Sequence, residues 1–195
     1  MKYSVEVLSA SSQAWVDAVM NDFPSFLQDH ADCERKASAM AMSLIAKYPD
    51  RDFIIPDLID TALEELEHFQ QVYEVMKQKN VPLPAKMEPD IYIHQLMEEA
   101  KGGSSDSRFL IRLLLGSVIE CRGCERFKLV ADNIEDPVLK KFYKELWISE
   151  AKHGNIYVKL ALNYFDEDLV YTKLEDLMQK EAKILAGLKI RPALH

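Results

Sequence analysis

The sequence predicts an all-α protein, a four-helix bundle with a long crossover and additional terminal helices. Three observations carry this. Only 6 Gly and 8 Pro punctuate 195 residues, while the strong helix formers Leu, Ala, Glu, Lys and Met are plentiful. Apolar residues recur at steps of three and four through four long segments. One polar pattern, a glutamate with a histidine three residues later, occurs twice, at Glu65/His68 and Glu150/His153.

Taken in order, residues 1–10 form an irregular lead. Ser11 and Ser12 can cap a short helix over Ala14 to Asn21. The first long helix runs from about Pro24, suited to a first turn, to Tyr48. Its stripe is Leu27, Ala31, Glu34, Ser38, Ala41 and Ile45. Tyr48-Pro49-Asp50-Arg51-Asp52 breaks it. The second begins between Phe53 and Asp57 and ends near Asn80, with Leu58, Thr61, Glu65, His68, Val72 and Val75 on one face. Val81-Pro82-Leu83-Pro84 forces an extended link. The crossover, residues 85–107, carries a helix from Asp90 to Lys101. The third long helix spans about Asp106 to Asn133, with Leu110, Leu113, Ser117, Glu120, Cys124 and Phe127 aligned. The fourth opens on Asp136-Pro137 and reaches Asn163, aligning Tyr143, Leu146, Glu150, His153 and Tyr157. A last helix, Glu167 to Leu188, covers the bundle, and a basic tail from Lys189 to Pro192 is expected to be loose.

The polar residues on these apolar stripes carry the chemistry. Residues three apart on a helix share a face, so each pair presents a carboxylate and an imidazole together. Glu34 lies 31 residues before Glu65, and Glu120 lies 30 before Glu150, each across a predicted turn. A chain that climbs a helix, turns and descends equally far returns to the same height. Glu34 should therefore meet Glu65 and His68, and Glu120 should meet Glu150 and His153. Two glutamates plus two such pairs are the ligand set of ferritin-like dimetal bundles. The six expected metal ligands are thus Glu34, Glu65, His68, Glu120, Glu150 and His153. Unpaired carboxylates on apolar faces would be very costly, and a metal removes that cost.

Glu125 rivals Glu120, because Cys33-Glu34-Arg35 is echoed by Cys124-Glu125-Arg126. Hairpin symmetry favours Glu120, since only 25 residues separate Glu125 from Glu150. His30, one turn before Glu34, is expected to be a surface or satisfied core histidine rather than a partner of the site, and His94 an ordinary one. Cys121 and Cys124 form a CxxC, but it lies mid-helix with no second CxxC, so two small buried residues are expected rather than zinc or redox chemistry.

Composition bounds the rest. The length fits one domain over residues 1–195. No apolar run is long enough to span a membrane, the N-terminus lacks a signal-peptide core, and three cysteines suit a reducing cytoplasm. A net charge of −8 opposes nonspecific nucleic-acid binding, although four ligand glutamates would account for part of that acidity. Arg108, Arg112, Arg122, Arg126 and Lys128, with Lys140, Lys141 and Lys144, form a candidate basic patch.

HADCERKA around Glu34, EELEHF around Glu65, IECRGCERF around Glu120 and SEAKHG around Glu150 resemble the MiaE-type tRNA hydroxylases. The resemblance covers most of residues 24–165. It implies a nonheme diiron monooxygenase acting on 2-methylthio-isopentenyl-adenosine beside the tRNA anticodon. Dioxygen would be the co-substrate, and two electrons would come from a reductase or ferredoxin partner. The six ligands would then be terminal or bridging carboxylates and one imidazole per iron. The same ligand pattern would also serve a ferritin-like iron-binding or ferroxidase protein, or a dimetal peroxidase or catalase. A metal-free helical interaction module would need buried glutamates without counter-ions.

Overall fold

A computed structural model describes residues 6–86 and 89–195. Among these residues there are seven α-helices and no strand. The expected irregular lead holds for residues 6–10; residues 1–5, like residues 87 and 88 of the crossover, lie outside the described part. The chain forms two compact units, one of residues 13–89 with 190–194 and the other of residues 1–12 with 90–189 and 195.

The first unit is a helical hairpin with a short helix laid on it. Helix α1 (Gln13–Asn21) leads directly into α2 (Phe23–Lys47), whose first turn is capped by Asp22 accepting from the Ser25 amide. Pro24 occupies the first turn, where its missing N–H is no loss. After Tyr48 the chain makes one 3-10 turn, Asp52–Ile54, and enters α3 (Ile55–Gln78). Helix α3 ends in a Schellman motif. Asn80 takes a left-handed φ of 56°, its amide bonds Lys77 O, and the Val81 amide bonds Met76 O at 2.8 Å. Phe26, Leu27, Ala41, Leu44, Leu58, Val72 and Met76 fill the space between the helices.

Beyond the stretch expected to be loose, Lys189 to Pro192, the chain is anchored. Trp15 Nε1 donates to Ala193 O at 2.9 Å, and the Leu194 amide donates to Asp29 at 2.7 Å. Ala193 and Leu194 are buried. The two apolar residues that follow the basic ones hold the end of the chain.

The second unit contains α4 (Ile91–Glu98), α5 (Ser105–Asn133), α6 (Pro137–Leu162) and α7 (Glu167–Gly187). Asp90, Ser104 and Asp136 cap the first three. Helices α5 and α6 pack as a close hairpin. At Gly116 an added Cβ would lie 2.9 Å from the Tyr157 ring, so the absent side chain is what admits the tyrosine.

Helix α7 is locked to this hairpin by a buried polar network. Arg122, fully buried, gives Glu181 a two-point contact at 2.8 and 3.1 Å. The same guanidinium reaches Glu125 at 3.0 Å and Ser9 O at 2.7 Å. Tyr92 on α4 donates to Glu181, and Arg126 donates to the Ser11 hydroxyl. Burial works against the Arg122 charge, but the hydrogen bonds and charge of Glu181 outweigh it and hold its pKa above the ordinary value. Ser11, one of the two serines expected before α1, gives both its amide and its hydroxyl to Glu125.

Candidate functional site

In the first unit, Glu34 on α2 meets Glu65 and His68 on α3. All three are buried, and each offers a ligand atom within 4.8 Å of the others. His68 Nδ1 lies 3.8 Å from Glu34 Oε2 and 3.7 Å from Glu65 Oε2. Glu64 and Glu67, one position before each, face solvent. His30 corrects the sequence expectation: it is fully buried, with Nε2 2.6 Å from Glu34 Oε1. The signal was present as a histidine one turn from a stripe carboxylate.

In the second unit, Glu120 on α5 meets Glu150 and His153 on α6, again buried and within 4.8 Å. His153 Nδ1 lies 2.9 Å from Glu150 Oε2. The two hairpins also share a polar staple in the same register. The Ser38 hydroxyl, four residues after Glu34, donates to Ala62 O, three residues before Glu65, at 2.8 Å. The Cys124 thiol, four residues after Glu120, donates to Trp147 O, three residues before Glu150, at 3.5 Å. This register pairs Glu34 with Glu120. Glu125 turns elsewhere, accepting from Ser11 and Arg122.

Each hairpin thus holds two carboxylates and one imidazole in an apolar interior. Like charges this close and this dry are relieved by a proton or by a cation held among them. Oxygen and imidazole donors without thiolate suit a borderline divalent metal such as iron or manganese, so the residues fit a metal. The cysteines do not join the sets. Cys121 and Cys124 are half-buried. Burial above all, helped by neighbouring negative groups, pushes their thiols up to about 12 and about 11. Protonated thiols are poor nucleophiles and ligands.

Tyr143 and Tyr157 are fully buried, Tyr143 against Phe127 and Tyr157 against Gly116. His94 is exposed beside Glu98. The expected basic patch needs correction: Arg122 and Arg126 are buried in the α7 network and take no part in any surface. Lys128, Lys140, Lys141 and Lys144 are exposed. No helix among the described residues is long and apolar enough to cross a membrane.

An all-helical chain with two buried Glu/His sets on matching hairpins is a ferritin-like protein. Its structure matches that of Protein 43 with aldehyde deformylating oxygenase activity from Synechococcus. The TM-score is 0.92 and the identity 32%, over 98% of this chain and 96% of that one. Residues 2–195 match the family tRNA-(MS[2]IO[6]A)-hydroxylase (MiaE), and the chain belongs to that family. Two curated relatives are named tRNA 2-(methylsulfanyl)-N(6)-isopentenyladenosine(37) hydroxylase. The one from Pseudomonas putida is 38% identical over 154 residues, covering 79% of this chain and 74% of its own. The one from Salmonella typhimurium is 30% identical over 207, covering 80% and 75%.

Proposed function

We propose that this chain hydroxylates the isopentenyl group of 2-methylthio-isopentenyl-adenosine in tRNA, as a dioxygen-dependent enzyme with two irons. The observation that carries this is the coincidence of family membership with two buried three-ligand sets in the same hairpin register. Glu34, Glu65 and His68 would hold one iron, and Glu120, Glu150 and His153 the other. Iron, when bound, would supply the redox chemistry: with dioxygen, two protons and two electrons from a reductase or ferredoxin, one oxygen atom would enter an allylic C–H bond and the other would leave as water.

The chain's own residues do the rest. The carboxylates offset the metal's positive charge. The surrounding apolar side chains, among them Leu27, Leu58, Leu113 and Leu146, keep bulk water out of each hairpin. Polyanionic substrate needs local positive charge on a chain of net −8. The outer face of α6 provides it, with Lys140, Lys141, Lys144, Lys152 and Lys159 exposed against a single exposed carboxylate, Glu145. The same donors could serve iron storage or peroxide turnover, but the relatives' names favour the hydroxylase.

The test gives iron-loaded, reduced protein dioxygen and tRNA bearing the isopentenyl modification, followed by nucleoside mass spectrometry. A nucleoside heavier by one oxygen is expected, and it should disappear in Glu65→Ala. Reversing Lys140, Lys141 and Lys144 should weaken tRNA binding and flatten its salt slope by about one unit per lysine in contact, leaving iron content unchanged. A reducible, two-iron protein that never oxidises this nucleoside would sink the substrate assignment.

A further inference from the structure

The two hairpins share a ligand register but not the surroundings of their lone glutamates. Four residues before Glu34 stands His30; four before Glu120 stands Gly116, whose side-chain space the Tyr157 ring occupies. His30 is fully buried, and its ring packs on Phe26 with centroids 5.9 Å apart. A carboxylate oxygen accepts, so Nε2 donates across the 2.6 Å to Glu34 Oε1. The other oxygen, Oε2, is the one that turns toward His68 Nδ1, 3.8 Å away. The two oxygens of Glu34 are therefore committed in different directions.

We infer that His30 is a positioning residue that clamps Glu34 Oε1, so that Glu34 offers its metal a single oxygen, Oε2. The inference rests on the reading of Glu34 as an iron ligand. A hydrogen-bonded carboxylate is oriented before the metal arrives and resists switching to a two-oxygen mode. With Gly116 at the matching place, the α5–α6 set has no such clamp from that position. The two metal positions are thereby made unequal by one side chain.

The experiment titrates metal-free protein anaerobically with Co2+, following calorimetry and the visible d–d absorption of bound cobalt. Wild type should take two ions. His30→Phe keeps a ring on Phe26 but cannot donate; it should weaken one of the two sites about 10- to 100-fold, the usual effect of losing a ligand's hydrogen-bond partner, and alter that site's spectrum. His30→Gln, whose Nε2 can donate from a similar place, should restore both affinity and spectrum. Circular dichroism of the metal-free variants checks that each is folded. Wild-type affinity and spectrum in His30→Phe would overturn the clamp, as would a Gln variant no better than Phe. Glu34→Ala separates the two levels. If it loses a cobalt while His30→Phe does not, the ligand stands and the clamp falls. If it keeps both ions at full affinity, the ligand reading itself fails.

Discussion

Replacing Glu181 by Leu should be among the most damaging single changes in the chain. Glu181 and Arg122 are side chains exposed by only 2% and 0%, joined at two points. Removing one partner of a buried ion pair leaves an uncompensated charge and costs about 3–5 kcal/mol. Arg122 would keep Glu125 at 3.0 Å and Ser9 O at 2.7 Å, which places this loss near the lower end, at about 3 kcal/mol. Tyr92 also loses its acceptor, adding about 1 kcal/mol. The expected total of about 4 kcal/mol is a large share of a typical stability of about 5–15 kcal/mol, and corresponds to a fall in Tm of about 8–16 °C. Urea unfolding of metal-free protein, followed by circular dichroism, should show the midpoint move with little change in slope. The double variant Arg122→Met/Glu181→Leu removes both charges and should recover much of the loss. A single variant within about 1 kcal/mol of wild type, or a double variant as unstable as the sum of its singles, would refute the reasoning.

Two smaller predictions test the α5–α6 hairpin. Gly116→Ala drives a methyl to 2.9 Å from two Tyr157 ring carbons and should destabilise by about 1–3 kcal/mol; Gly123→Ala, with no atom within 4 Å, should be neutral or stabilising in the same urea assay. The Cys124 thiol, pushed up to about 11 by burial and then by Glu150, stays protonated throughout the neutral range. Its thiolate fraction at pH 8 is about one in a thousand, so alkylation by iodoacetamide should be slow and rise about tenfold per pH unit toward pH 11. An alkylation rate in the folded protein equal to that of an unfolded peptide would show the thiol is not held up.

The parts of the structure written locally were legible. Asp90 and Asp136, read as helix starts, cap their helices, and the starts read at about Pro24 and Asp106 fall within two residues of the caps Asp22 and Ser104. The three-residue spacing within Glu65/His68 and Glu150/His153, with equal arms around each turn, predicted which residues each hairpin gathers. What escaped was long-range. Nothing near Arg122 in sequence announces that its partner is Glu181, 59 residues away, so a buried arginine looked like a solvated one. The echo of Cys33-Glu34-Arg35 in Cys124-Glu125-Arg126 is offset from the structural register by five residues. The true correspondence, Ser38 with Cys124, joins a hydroxyl to a thiol and is invisible to residue identity. His30 was undervalued because a lone histidine has many possible roles, and only the depth of α2 selects among them.

The buried carboxylates have a consequence for the protein's life in the cell. Each hairpin keeps two glutamates almost wholly out of water, an arrangement that favours the loaded chain over the empty one. A metal at 100 times its dissociation constant stabilises a site's host by about 2.7 kcal/mol, comparable with the margin that separates folded chains from those removed by proteases. Under the proposed assignment, iron starvation would act on quantity before it acts on chemistry. Chains made without metal would be cleared faster, and the amount of protein would follow the supply of the element it uses.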